Sequence, residues 1–255
     1  MKKYQKYCMP AVVLLLVLLI WEVSVHIFNI NLYILPPPSQ IFLSLIENKE
    51  VLWMHSMVTL QEALLGLILA TIFAAIIAIV MDLSPAIKHS LFPHLVVTQT
   101  VPVMILGPLF TIWLGFGMAP KVLMVIFMCF FPIAISFSDA LSSVDENQIH
   151  LLKCLGAKKW QIYAYVKIPA AAQALISGLK VAATYCIGGA IVGEWLSAKA
   201  GLGYYMIRVK NGYMLDKVFA CVLVIILWSL ALHFVVSILE WILFPYKRKR
   251  KGVSK

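Results

Sequence analysis

Charge is scarce in this chain of 255 residues, and acidic residues are scarcer than basic ones. Only 13% of positions are Asp, Glu, Lys or Arg against 62% hydrophobic, and the mean hydropathy is +0.94. Soluble domains carry about 25% charged residues and roughly half apolar ones, so a water-soluble globule is excluded. No G-x-x-x-x-G-K-[ST] run occurs, and the Gly201-Leu202-Gly203 stretch reads as a short external turn, too small to cradle a phosphate. The five cysteines (Cys8, Cys129, Cys154, Cys186, Cys221) form no C-x-x-C pair, which argues against a disulfide framework or a thiolate zinc site. His89 and His94 would stand about 140° apart around a helix axis with no third ligand in view, and they read as structural. No paired acid and base falls in a plausible pocket, so hydrolysis within the membrane has no support. No small-x-small cleavage site follows the opening MKKYQKYCMPAVVLLLVLLIW, which therefore reads as a retained first span. Cys8, preceded by Gln5, Lys6 and Tyr7, is not a lipoprotein cysteine.

What the chain does have is long apolar runs. Leu64 to Met81, His89 to Pro120, Val122 to Ser138 and Val218 to Leu239 each lack Asp, Glu, Lys and Arg. Each approaches or exceeds the roughly 20 helical residues that a bilayer core requires. Six spans fit, over about residues 9–30, 57–81, 89–115, 121–140, 170–196 and 217–245. An even number puts both termini on one side. Lys2, Lys3, Lys6, Lys88, Lys153, Lys158, Lys159, Lys167, Lys180 and the basic residues of the tail KRKRKGVSK then share that side. Lys49, Lys121, Lys199, Arg208, Lys210 and Lys217 fall opposite. The positive-inside rule makes the richer side cytoplasmic, and it accounts for the net charge of +10 without a nucleic-acid partner.

Between these spans, several segments carry more than hydrophobicity. Pro36, Pro37 and Pro38 must end the first span. Residues 39–56 mix apolar positions with Glu47, Lys49 and Glu50, and are expected to form an amphipathic helix lying on the outer leaflet. In the third span, Thr98, Gln99 and Thr100 are followed by Pro102, Gly107 and Pro108. Backbone groups freed there must find protein or water, which points to a translocation path, with interhelical hydrogen bonding as the alternative. The fifth span holds Ser177, Gly178, Thr184, Tyr185, Gly188, Gly189 and Gly193, suited to close helix packing, a gate, or both. Lys180 is expected to reach toward the inner surface in the direction of Asp139. Glu194, near the other end, needs a headgroup, a partner or a wet cavity. Glu62, Asp139, Glu194 and Glu240 are read toward span ends, with Glu22 deeper.

The longest polar interruption between apolar runs is DENQIHLLKCLGAKKWQIYAYVKIPAAAQALISG, from Asp145 to Gly178. Ile149, Leu152 and Leu155 recur at spacings of three, Gly156 supplies a turn, and Lys158 and Lys159 follow it. Gly156, then after nine residues Val166-Lys167-Ile168-Pro169, resembles the G-x9-I-x-L-P half of the coupling loop in membrane subunits of ATP-binding-cassette importers. The triplet expected before the glycine, Glu-Ala-Ala, is replaced by His150-Leu151-Leu152. LPPPSQI near Tyr33, the run from Thr98 to Lys121, GLKVAATY and VGEWLSAKAGLGYYM resemble the sulfonate, nitrate, taurine and thiamine-precursor branch of the type I permeases. The resemblance covers nearly the whole chain.

The resemblance implies an all-α integral membrane fold of about six transmembrane helices, with a cytoplasmic coupling helix between spans four and five. Residues 1–56 would form a first span with an external segment, 57–245 the permease domain and 246–255 a basic tail. Ile149, Leu152, Leu155, Gly156, Lys158, Lys159 and Pro169 would couple to the ATPase, while Gln99, Thr100, Pro102, Thr184 and Tyr185 would line the path. The implied partners are two copies of an ATPase subunit, an extracytoplasmic solute-binding protein, a second copy of this chain and membrane lipid. The chain would hold no cofactor, ATP and Mg being bound by the ATPase, and would not be an enzyme. Its place would be the cytoplasmic membrane of a bacterium, and its solute a thiamine-precursor pyrimidine, an aliphatic sulfonate, taurine or nitrate. The competing class is a stand-alone ion-coupled carrier or channel. No internal repeat supports that class.

Overall fold

The computed structural model describes residues 5–245, and every regular element among them is helical. The basic tail 246–255, Lys2 and Lys3 lie outside the described residues. The first helix, α1 (Gln5–Ile27), ends ahead of the three prolines, and α2 (Pro38–Glu47) starts with Pro38 at its first position, where a missing N–H costs nothing. Glu22 of α1 caps this new helix: it accepts from the Ser39 backbone N–H at 3.0 Å and from Ser39 Oγ at 2.7 Å.

Next comes α3 (Lys49–Leu83), 35 residues long. At 1.5 Å per residue it runs about 50 Å, well beyond the roughly 30 Å of a hydrocarbon core. This corrects the expected interfacial helix over 39–56, because only 38–47 stand apart and residues 49–56 are the first turns of the long helix that holds the second span. Leu52, His55 and Ser56 are buried there, so packing claims a segment whose charges had suggested an interface.

The third apolar run is also not one helix. It divides into α4 (Pro85–Thr98) and α5 (Val103–Leu114), bent by 100° at the break. Pro102 has no N–H to donate and disfavours helical geometry at Val101, so the chain turns where the polar residues cluster. Among the described residues, six segments are long and apolar enough to cross a membrane if the bent pair counts as one span, and five without it.

The centre of the molecule is α6 (Met118–Ser142) packed along α9 (Ile168–Ser197), with α3 against both. Small residues permit this approach. A Cβ on Gly178 would lie 2.6 Å from the Pro132 carbonyl oxygen, one on Gly193 2.8 Å from Lys121 Cα, and one on Gly66 2.4 Å from Val125 Cβ. The shared core is rich in alanine for the same reason, with Ala63, Ala134 and Ala182 fully buried. A helix that the sequence did not announce, α10 (Leu202–Asn211), begins at Gly201–Gly203 in place of the expected simple turn, and α11 (Leu215–Leu243) closes the chain. The outer faces of α1, α3 and α11 expose large apolar side chains, as lipid contact requires.

Candidate functional site

The polar loop folds into α7 (Glu146–Cys154) and the single turn α8 (Lys159–Ile162), followed by a π-helical turn over Tyr163–Lys167 that runs directly into α9. Asp145 caps α7 by accepting from the Asn147 N–H at 2.9 Å. At the other end, Ala157 N–H donates to Leu152 O and Gly156 N–H to Lys153 O, both at 3.0 Å, with Gly156 at φ +80°. That pair of bonds is a Schellman motif, and it explains why a glycine stands here. Lys158 N–H then bonds Gln161 Oε1 at 2.7 Å and starts α8.

A groove of about 320 Å³ lies between α7, the end of α3, α8 and the π-helical turn, lined by Ile149, Lys153, Lys159, Ile162, Tyr163 and Lys167 among others. Ile149 and Leu152 are half-buried, whereas Leu155 is 74% exposed, so the three do not present one uniform face. Lys158 and Pro169 are exposed beside them. One residue that sequence reasoning missed ties the loop to the bundle. Asp82, near the end of α3, accepts from Tyr163 Oη at 2.6 Å and from Lys167 Nζ at 2.5 Å. The signal was there: a lone acid closes the Leu64–Met81 run. Pi-helical turns often mark functional positions in helices, and this one carries both of Asp82's partners.

The expected path residues divide. Gln99 and Tyr185 line one cavity of about 440 Å³, together with Val103, Phe127, Phe131, Ser136 and Val181. Thr100, in the break, instead donates back to Val97 O of α4 at 2.7 Å, and Thr184 to Val181 O within α9 at 2.7 Å, so each hydroxyl serves the nearby backbone. Pro102 acts through the backbone, as the residue preceding α5. The structure thus joins the α4–α5 break to the middle of α9.

Charged residues in the spans find partners that the sequence did not indicate. Lys180 pairs with Glu240 of α11, correcting the expectation that it reaches toward Asp139; Asp139 instead faces Lys88 at 4.0 Å. Lys121 Nζ donates to Glu62 Oε1 at 2.6 Å, with side-chain exposures of 8% and 3%. Beside this pair, Glu194 accepts from Thr59 Oγ1 at 2.6 Å and from the Gly203 N–H at 2.5 Å. The Leu202 N–H donates to Thr59 Oγ1 at 2.8 Å, and that of Gly201 to His55 Nδ1 at 3.0 Å. The first amides of α10, which have no partner within the helix, are satisfied by α3 and α9. Glu62 and Glu194 are therefore buried groups with partners inside the bundle.

The family model described as the binding-protein-dependent transport system inner membrane component matches residues 66–245. Over 237 residues the chain is 34% identical to a probable ABC transporter permease protein of Haemophilus influenzae, covering 93% of this chain and 96% of that one. It is 31% identical to the formylaminopyrimidine transport permease protein ThiX of Halalkalibacterium halodurans, covering 98% and 100%. The taurine transport system permease protein TauC of Escherichia coli is 27% identical, covering 91% and 87%. Among solved structures, the fold is similar to that of an amino acid ABC transporter with histidines, at TM-score 0.63 and 18% identity over 78% of this chain and 97% of that chain. The inward-facing MetNI methionine ABC transporter gives TM-score 0.56 at 16% identity, over 74% and 94%.

Proposed function

Because the chain belongs to the binding-protein-dependent transport system inner membrane component family, the type I permeases of ABC importers, we propose that it forms the membrane path for a small polar solute in an ATP-driven importer. In this reading two copies enclose the path, two ATPase subunits bind ATP and Mg and dock under the α7 loops, and an external binding protein delivers the solute. Both termini and the α7 loop face the cytoplasm, in keeping with the distribution of Lys and Arg. The observation that carries the proposal is the continuous connection from α7 through the Gly156 turn, α8 and the π-helical turn into α9, the helix that bears Tyr185. Closing of the ATPases on ATP draws the two α7 helices together. The α9 helices follow, and the path turns outward.

The solute is a thiamine-precursor pyrimidine or an aliphatic sulfonate, taurine or nitrate, supported by similarity to ThiX and TauC over nearly the whole chain. The test is a single cysteine at Gln99 in a chain lacking native cysteines, assembled with its ATPase in membranes. A small polar thiol reagent should label it at a rate that changes when ATP is trapped on the ATPase. Cysteines at Ile76 and Leu227, both exposed on outer faces of the bundle, should stay unlabelled in both states. A nucleotide-independent rate at Gln99 would remove the path assignment.

A further inference from the structure

We propose that the cavity at the α4–α5 break is a selectivity subsite for an uncharged, planar amino-heteroaromatic ring, read by the Gln99 amide beside Phe127, Phe131 and Tyr185, and that it rejects organic anions. The inference rests on the reading of this chain as a path-forming permease, and it places part of the solute choice in the permease itself.

Three observations support it. The first is the fate of the hydroxyls. Elsewhere in the spans, many hydroxyls, among them those of Ser56, Thr71, Thr111, Ser177 and Ser237, donate to a carbonyl one turn back in their own helix, whereas that of Ser138 is buried with no partner among the described residues. Among the described residues, the side chains of Gln99, Ser136 and Tyr185 make no hydrogen bond within the protein, and all three line this cavity. Their donors and acceptors are left for water or a solute.

The second is charge. No Asp, Glu, Lys or Arg lines the cavity, and Lys180, adjacent in sequence to the lining residue Val181, is occupied by Glu240. A sulfonate placed there would keep a full charge without a counter-charge. On the scale of the penalty for an ionised side chain at mid-membrane, that is a disadvantage of roughly a hundredfold or more.

The third is shape. Phe127 and Phe131 meet edge to face, with ring centroids 5.4 Å apart at 85°, which offers a flat solute both an aromatic face and an edge. A glutamine amide presents an N–H donor and a C=O acceptor side by side in one plane. It matches the ring-nitrogen and amino edge of an aminopyrimidine, the same pairing by which glutamine reads adenine. The volume of about 440 Å³ accommodates a substituted single ring.

The test uses a cysteine at Val103, which lines the cavity without entering the argument above. The full chain, freed of native cysteines and assembled with its ATPase in membranes, is labelled with N-ethylmaleimide, and rates are normalised to the chain present. The probes are 4-amino-5-hydroxymethyl-2-methylpyrimidine and ethanesulfonate at equal concentration. The pyrimidine should slow labelling and ethanesulfonate should not. Gln99→Leu should raise the half-protecting concentration by roughly tenfold, as should the near-isosteric Gln99→Glu, which has no N–H donor. Ser136→Lys should transfer protection to ethanesulfonate. Equal protection by both probes, protection by neither, no labelling at all, or a pyrimidine effect unchanged in both Gln99 variants would overturn the subsite. If labelling without probe still responds to trapped nucleotide, the permease reading survives that failure. If it does not, both fall.

Discussion

Substituting Lys121 by Met should strand a carboxylate in the core. Lys121 is near the start of α6, its Nζ is 2.6 Å from Glu62 Oε1, and the two side chains are 8% and 3% exposed. At that separation the attraction is on the order of 5 kcal/mol for an effective dielectric near 20, offset by the desolvation of both ions. The intact pair is therefore close to neutral for stability, but removing one partner is not. Glu62 Oε2 has no donor in place and the Glu194 carboxyl stands beside it, so losing the lysine leaves two neighbouring buried carboxyls without their cation, and breaking a buried pair costs about 3–5 kcal/mol. Methionine keeps the unbranched stem that packs over Gly193, so the lost charge is the main change. In detergent, the Lys121→Met chain should lose its monodisperse elution peak on heating at a temperature lower by on the order of 10 °C. The double variant Glu62→Leu with Lys121→Met should recover most of that loss, since a buried ion pair can be replaced by apolar groups of similar volume. A single variant as stable as the parent, or a double variant no better than the single, would refute this account of the pair.

Gly156→Leu should leave the chain inserted but weaken association with the ATPase and lower uptake, because φ +80° costs a residue with a Cβ roughly 1–2 kcal/mol and α7 loses its cap; wild-type uptake at normal membrane levels would contradict this. Gly178→Ala should destabilise by about 1–3 kcal/mol, because the new Cβ meets Pro132 O at 2.6 Å and Ile133 Cα at 2.8 Å, both backbone atoms; thermal stability in detergent measures it, and an unchanged value would show that α6 and α9 can separate freely. A cysteine at Lys49 should react with a membrane-impermeant thiol reagent applied to intact cells, whereas one at Lys158 should not; the reverse pattern would invert the orientation.

The sequence alone determined the solvent, an all-helical chain with five or six apolar spans, and the polar loop between its later spans. These follow from local properties: the length of an apolar run, a proline that cannot donate, a glycine required by a left-handed turn. The break before Pro102 and the turn at Gly156 were legible for that reason, and Gln99 and Tyr185, singled out by side-chain chemistry, line one cavity. The sequence could not show which hydroxyls were already spent, and Thr100 and Thr184 turned out to bond backbone carbonyls three residues back. Nor could it pair charges far apart in the chain. Lys121 with Glu62, Lys180 with Glu240 and Lys167 with Asp82 are meetings of different helices, fixed by how α3, α6, α9 and α11 pack. The extension of α3 back to Lys49 and the start of α10 at Gly201–Gly203 have the same origin. Their polar and charged residues look solvated in one dimension, and only tertiary burial against His55, Thr59 and Glu194 gives them partners.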